Sequence, residues 1–139
     1  MYTLEEQSEH RRQWIEALRS GNYKQGTGTL RAGDNYCCLG VACEVSELGK
    51  WVPLNADENE EKPILADTYL YLVDGEIAHG GYLPEKVMDW LGVSNNGVYV
   101  KGVYSNDNFH ETLIVFNDGG YSFGIIADMI EDGEIVVKT

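Results

Sequence analysis

Basic residues are scarce in this sequence: ten Lys and Arg stand against 23 Asp and Glu, a formal net charge of −13 over 139 residues. General nucleic-acid affinity rests on neutralising phosphates with Lys and Arg, so that class of function is disfavoured. Long apolar runs are missing too; none approaches the ~18 residues of a membrane span. Cysteine is limited to Cys37, Cys38 and Cys43. The number is odd and no signal-peptide pattern accompanies it, so reduced thiols in a cytoplasm-like compartment are expected. There is no Cys-x2-Cys unit, and neighbouring helical positions point about 100° apart, which sets the three thiols against a shared tetrahedral zinc. No metal or cofactor is expected. Dinucleotide and P-loop fingerprints are incomplete: Gly26-Thr-Gly28 is followed by Arg31 where a third Gly belongs, and no Gly-Lys-Ser/Thr occurs.

What is present centres on Tyr36 to Leu48, where Glu44 alone interrupts the first apolar turns. Cys38, Val41, Ala42, Val45 and Leu48 form one stripe at helical spacing and Leu39 and Cys43 cover its flank, so the segment reads as a buried central helix over 36–48. Asp34 or Asn35 is placed to cap its start and Gly49 to end it. Ahead of it, Thr3-Leu-Glu-Glu6 is a capping box that opens a helix running to about Ser20. Its apolar patch is Trp14, Ile15 and Leu18; His10 falls on the polar part, in water. Arg11, Arg12, Arg19, Lys24 and Arg31 are spaced to form a small basic patch.

Beyond the central helix, 51–54 reads as a short strand and 55–62 as an acidic loop. Asn55, Asp57, Asn59 and Glu61 alternate as in a calcium loop, but Glu60 stands where Gly is required and Ala66 where Glu is, which favours a solvated loop. Thr68–Val73, Asp74-Gly75 and 76–79 read as a β-hairpin with a two-residue turn. Leu83–Gly92 reads as a short helix with Pro in its first turn. Strands are expected at 27–31, 98–104, 112–116 and 134–138, and a last helix from the Ser122 cap through Asp132. The sum is a single α+β domain over 1–139, with about four helices on a small, mostly antiparallel sheet.

Trp14 to Arg31 with Cys37 to Glu44 (Cys-Cys-Leu-Gly-Val-x-Cys-Glu), Leu83-Pro-x2-Val-x2-Trp-Leu-Gly92, and Phe116 to Ile130 (Phe-Asn-Asp-x-Gly-x-Ser-Phe-x2-Ile-Ala-Asp-x-Ile) together resemble small proteins encoded mostly by bacteriophages and prophages. The resemblance implies a phage or bacterial origin and a host-cytoplasmic setting; it carries over no catalytic residue, because no activity is established for that group.

Three functions compete. The leading one is a non-enzymatic protein-interaction or regulatory module acting on a host or phage protein. Tyr69, Tyr71, Tyr82, Tyr99 and Tyr104 fall in or near strands where alternate residues face outward. Set beside acidic residues such as Asp57 and Glu58, they would form a partner-binding face that steers a basic partner, with the acidic chain itself imitating nucleic acid toward a nucleic-acid-binding protein. The second is a cysteine hydrolase, with Cys37 in a first helical turn, His79 or His110 as base and Asp34 or Asp67 to orient it. That arrangement vaguely resembles NlpC/P60-type cysteine peptidases, but Cys38-Leu39 replaces their Ser-Gly and Gly-Gly-Tyr-Leu-Pro after His79 soon turns to helix. The third is a binder of small anions on the 21–33 loop, through Gly26, Gly28, Lys24 and Arg31.

Overall fold

The computed structural model describes residues 2–53, 68–77, 81–104 and 110–138. Helix α1 spans Leu4–Arg19. Its capping box closes as the residue types demand: Thr3 Oγ1 accepts the Glu6 N–H at 3.1 Å and the Glu6 carboxylate accepts the Thr3 N–H at 2.9 Å. Three two-residue strands follow, β1 (Lys24–Gln25), β2 (Arg31–Ala32) and β3 (Asn35–Tyr36). Then come α2 (Cys38–Ser46), β4 (Lys50–Pro53), β5 (Thr68–Val73), β6 (Glu76–Ile77), α3 (Glu85–Leu91), β7 (Tyr99–Tyr104), β8 (His110–Thr112), α4 (Leu113–Asp118) and α5 (Phe123–Glu131). The main sheet runs β1-β3-β2-β5-β4 with β6 also on β5, and every pairing is antiparallel except β1 with β3; β7 and β8 pair separately. This is an α+β domain.

Helix α2 is the centre, and seven of its nine residues are buried. Small residues explain how neighbours reach it. A Cβ on Gly40 would fall 1.9 Å from the Leu30 carbonyl oxygen, so only glycine admits the backbone leading into β2. The Trp14 indole, itself buried, donates to Cys38 O at 2.9 Å and ties α1 to the first turn of α2.

Several boundaries differ from the sequence reading. The central helix is 38–46, not 36–48, because Asn35 and Tyr36 are drawn into the sheet. Its N-cap is therefore Cys37, whose Sγ accepts the Gly40 N–H at 3.4 Å, and neither Asp34 nor Asn35. It ends at Glu47 in the left-handed region (φ 56°), while Gly49 serves a different end: a Cβ there would meet Leu72 O at 2.1 Å. Of the strand expected at 112–116, residues 113–116 instead lie in helix α4, which also takes in Asn117 and Asp118, so the described residues hold five helices. Leu113 and Asn117, one turn apart, are both buried, and the Leu113 N–H donates to Val98 O at 2.9 Å. The strand expected at 27–31 shrinks to Arg31–Ala32, and that at 134–138 to two isolated bridges, Val93 to Val137 and Val100 to Ile135. The hairpin at 68–77 forms around Asp74 (φ 48°) and Gly75 (φ 85°) as its turn residues require. Among the described residues, no helix is long and apolar enough to cross a membrane.

Candidate functional site

Cross-strand pairing places Gln25 opposite Tyr36, Tyr36 opposite Arg31, Arg31 opposite Tyr69, and Tyr69 opposite Pro53. Directly paired residues share a face, so these five form one row across five strands; Trp51 and Tyr71, paired with each other, lie two residues along β4 and β5 on the same face. Arg31 sits in the middle. Its Cζ lies 4.3 Å from the Tyr69 ring centroid, 5.3 Å from that of Tyr36 and 5.6 Å from that of Trp51. Tyr23 packs edge-on against Tyr36 at 5.3 Å, Tyr36 against Trp51 at 5.8 Å, and Trp51 against Tyr71 at 4.8 Å. The Trp51 indole N–H donates to Glu44 of α2 at 2.5 Å. Partial burial raises the Tyr23 and Tyr36 phenols above the ordinary value, with the Glu44 charge adding to it, so both stay neutral donors through the physiological range.

Arg31, Tyr36, Trp51 and Tyr69 are each half-buried, with enough surface left to meet a ligand. Tyr71 is not, and its expected place on a binding face is corrected here. It is 2% exposed, with its hydroxyl accepting the Gly49 N–H at 2.8 Å, because its row runs under the core. Tyr99 is half-buried on β7, in the separate small sheet, and Tyr104 ends that strand, so the five tyrosines do not make one face. Asp57, Glu58, Asp67 and His79 lie outside the described residues, as do the side chains of Tyr104 and His110.

The 21–33 loop is pinned by the far end of the chain. Asn117, 1% exposed, accepts the Cys38 N–H at 3.1 Å and a Gln25 amide N–H at 3.0 Å, and donates to Gly26 O at 2.8 Å. The Gly28 N–H donates to Asp118 at 3.1 Å and the Gly26 N–H to Tyr36 O at 2.8 Å. Both glycine N–H groups expected to cradle an anion are therefore taken, one by a carboxylate.

Cys37 lies beside this knot. It is 4% exposed, and burial pushes its thiol up to about 11, against the weaker pull of the Gly40 N–H. Burial likewise raises Cys38 and Cys43. The first-turn dipole effect that would make a thiolate is outweighed by desolvation. Asp34 is exposed at the Gly33-Asp34 turn between β2 and β3.

The sequence profile of DUF8296, a domain of unknown function, matches residues 6–134. The chain belongs to the DUF8296 family. No curated protein and no solved structure matches it.

The expected basic patch of the DUF8296 chain does not assemble. Arg12 pairs with Glu9 and Glu16, and Arg19 reaches Asp128 at 2.6 Å and Glu131 at 2.9 Å. Arg11 donates to Leu91 O at 2.6 Å, beside Gln7 on Asp89 O at 2.8 Å and His10 Nδ1 on Trp90 O at 2.7 Å. His10 is thus not simply solvated: its ring stacks on Trp90 at 4.1 Å. Three side chains of α1 satisfy the last carbonyls of α3, a structural use of groups that read as surface.

Sequence reading found Arg31 and Tyr69 but put them in separate sites, and it missed Tyr36 and Trp51. A signal existed. Gly33-Asp34 between Ala32 and Asn35 is a two-residue hairpin turn, and placing Tyr36 opposite Arg31 follows from it.

Proposed function

We propose that this DUF8296 chain is a non-enzymatic interaction module that binds a protein partner through the half-buried face of Tyr36, Arg31, Tyr69 and Trp51. One observation carries the reading: an arginine held by three aromatic rings on one face of the sheet. Tyr, Trp and Arg supply most hot-spot energy at interfaces, and here their rotamers are already restrained by mutual packing, which lowers the ordering cost of binding. Phage origin, a host-cytoplasmic setting and a host or phage partner belong to this proposal on the residue pattern alone. The charges beside this face are Arg31, Glu44 on the Trp51 indole and Asp34 near Tyr36, while Lys24 and Lys50 fall on the opposite face of their strands; a mixed set of this kind does not support imitation of nucleic acid at this surface. The raised Cys37 thiol and the occupied N–H groups of Gly26 and Gly28 give no support to the hydrolase or to anion capture by the loop.

The test is comparative affinity capture. Proteins retained from a bacterial lysate by the wild type and by Cys37→Ala, but lost with Tyr69→Ala at unchanged melting temperature, support the module. A retained set indifferent to Tyr69→Ala sinks it.

A further inference from the structure

Each of the other three arginines has a described partner for its terminal nitrogens, either a carboxylate or, for Arg11, a backbone carbonyl. Arg31 differs. Its Nε–H donates to Gly33 O at 2.8 Å, and among the described residues its two terminal nitrogens bond nothing. Of the two acidic residues near this face, Glu44 is committed to the Trp51 indole and Asp34 is exposed at the turn. The three rings pack against the guanidinium, and the four N–H groups of its terminal nitrogens, without a partner among the described residues, are offered to a ligand.

We infer that Arg31 is a docking site for a carboxylate of the partner, an Asp or Glu side chain or a C-terminus, with an adjoining flat or apolar group lying on Tyr36, Tyr69 and Trp51. This rests on the interaction-module reading and names the partner's chemistry. A carboxylate is planar and carries a single charge, so it takes two parallel N–H bonds from the fork. A phosphate dianion would bring twice the charge to a face that already holds Asp34 and Glu44 within a chain of net −13. Restraint by three rings means that little side-chain entropy remains to be lost when the carboxylate arrives.

The full chain, titrated with sodium phenylacetate and followed by the arginine Nε–H and aromatic signals in NMR spectra, tests the site. Shifts confined to Arg31, Tyr36, Tyr69 and Trp51 are expected, with binding about tenfold tighter than for phenylacetamide, the neutral isostere. Arg31→Gln should abolish that preference and Arg31→Lys should keep part of it. If Arg31→Gln fails to fold, the acid-to-amide ratio on wild type and Arg31→Lys decides. Equal binding of acid and amide overturns the inference, as does tighter binding of benzylammonium or of phenyl phosphate. Partner capture that is lost with Tyr69→Ala yet unchanged with Arg31→Gln would remove the carboxylate and leave the module standing; loss with neither removes the module itself.

Discussion

The side-chain amide of Asn117 accepts the backbone N–H of Cys38, 79 positions earlier in the chain, at 3.1 Å. A helix whose own N-cap is a weakly accepting thiol is thereby capped from another element. The same amide holds Gln25 and Gly26, so a single buried side chain sets where α2 begins and where β1 lies at the edge of the aromatic row.

Asn117→Ala strands the Cys38 N–H in the interior and takes the donor from the half-buried Gly26 carbonyl. Each buried unsatisfied group costs about 1–3 kcal/mol, so a loss of about 3 kcal/mol in urea unfolding is expected. Asn117→Asp keeps the acceptor for Cys38 but loses the donor to Gly26, and should fall between wild type and the alanine variant.

Gly40→Ala should be far worse than Gly28→Ala. The first puts a methyl 1.9 Å from Leu30 O, in backbone that cannot yield, and should lose more than ~4 kcal/mol or fail to fold. The second meets no atom within 4 Å and carries only the strain of a positive φ (83°), about 1 kcal/mol. Circular dichroism melts of the two variants check the order; similar melting temperatures would mean that α2 and Leu30 are not in contact.

Arg11 and Arg12 are neighbours with opposite prospects. Arg12→Ala removes two exposed ion pairs and should leave stability nearly unchanged. Arg11→Ala strips a partly buried donor from the end of α3 and should cost about 1–2 kcal/mol, as should Gln7→Ala. Chemical denaturation separates them; an Arg12 effect equal to that of Arg11 would contradict this account.

Alkaline pH should destabilise the fold. Burial raises all three thiols, so above the ordinary thiol value near 9 the unfolded chain has lost protons that the native chain keeps. Stability is intact below pH 9 and falls as pH rises. For Cys37 the fall runs from about 9 to about 11, at about 1.4 kcal/mol per pH unit for each thiol. Native thiols should also resist iodoacetamide until denaturant is added. Rapid labelling of Cys37 alone, with an apparent pKa below ~8.5, would restore the hydrolase.

Local chemistry was legible where an element's signal lies within a few residues. The Thr3 capping box, the Asp74-Gly75 turn and the Ser122 cap of α5 each involve groups at most four positions apart, and each stands in the structure. Leu113–Asp118 misled because Leu-Ile-Val-Phe has strand propensity; its helix is stabilised by burying Leu113 and Asn117 against distant segments, which no local preference records. The site was half legible: the residue types that recognise partners were visible, but not that Arg31 and Tyr69, 38 positions apart, are direct neighbours.

An acidic α+β chain with its core centred on the 36–48 segment followed from the sequence alone. Those properties depend on composition and on periodicities of two and 3.6 residues. The tertiary structure was needed to place Arg31 among Tyr36, Trp51 and Tyr69 with terminal nitrogens that bond nothing among the described residues, to bond Gly28 to Asp118, and to bury Cys37. These depend on strand register and on contacts tens of residues apart, where pairing energies choose among arrangements that local propensity leaves nearly equal.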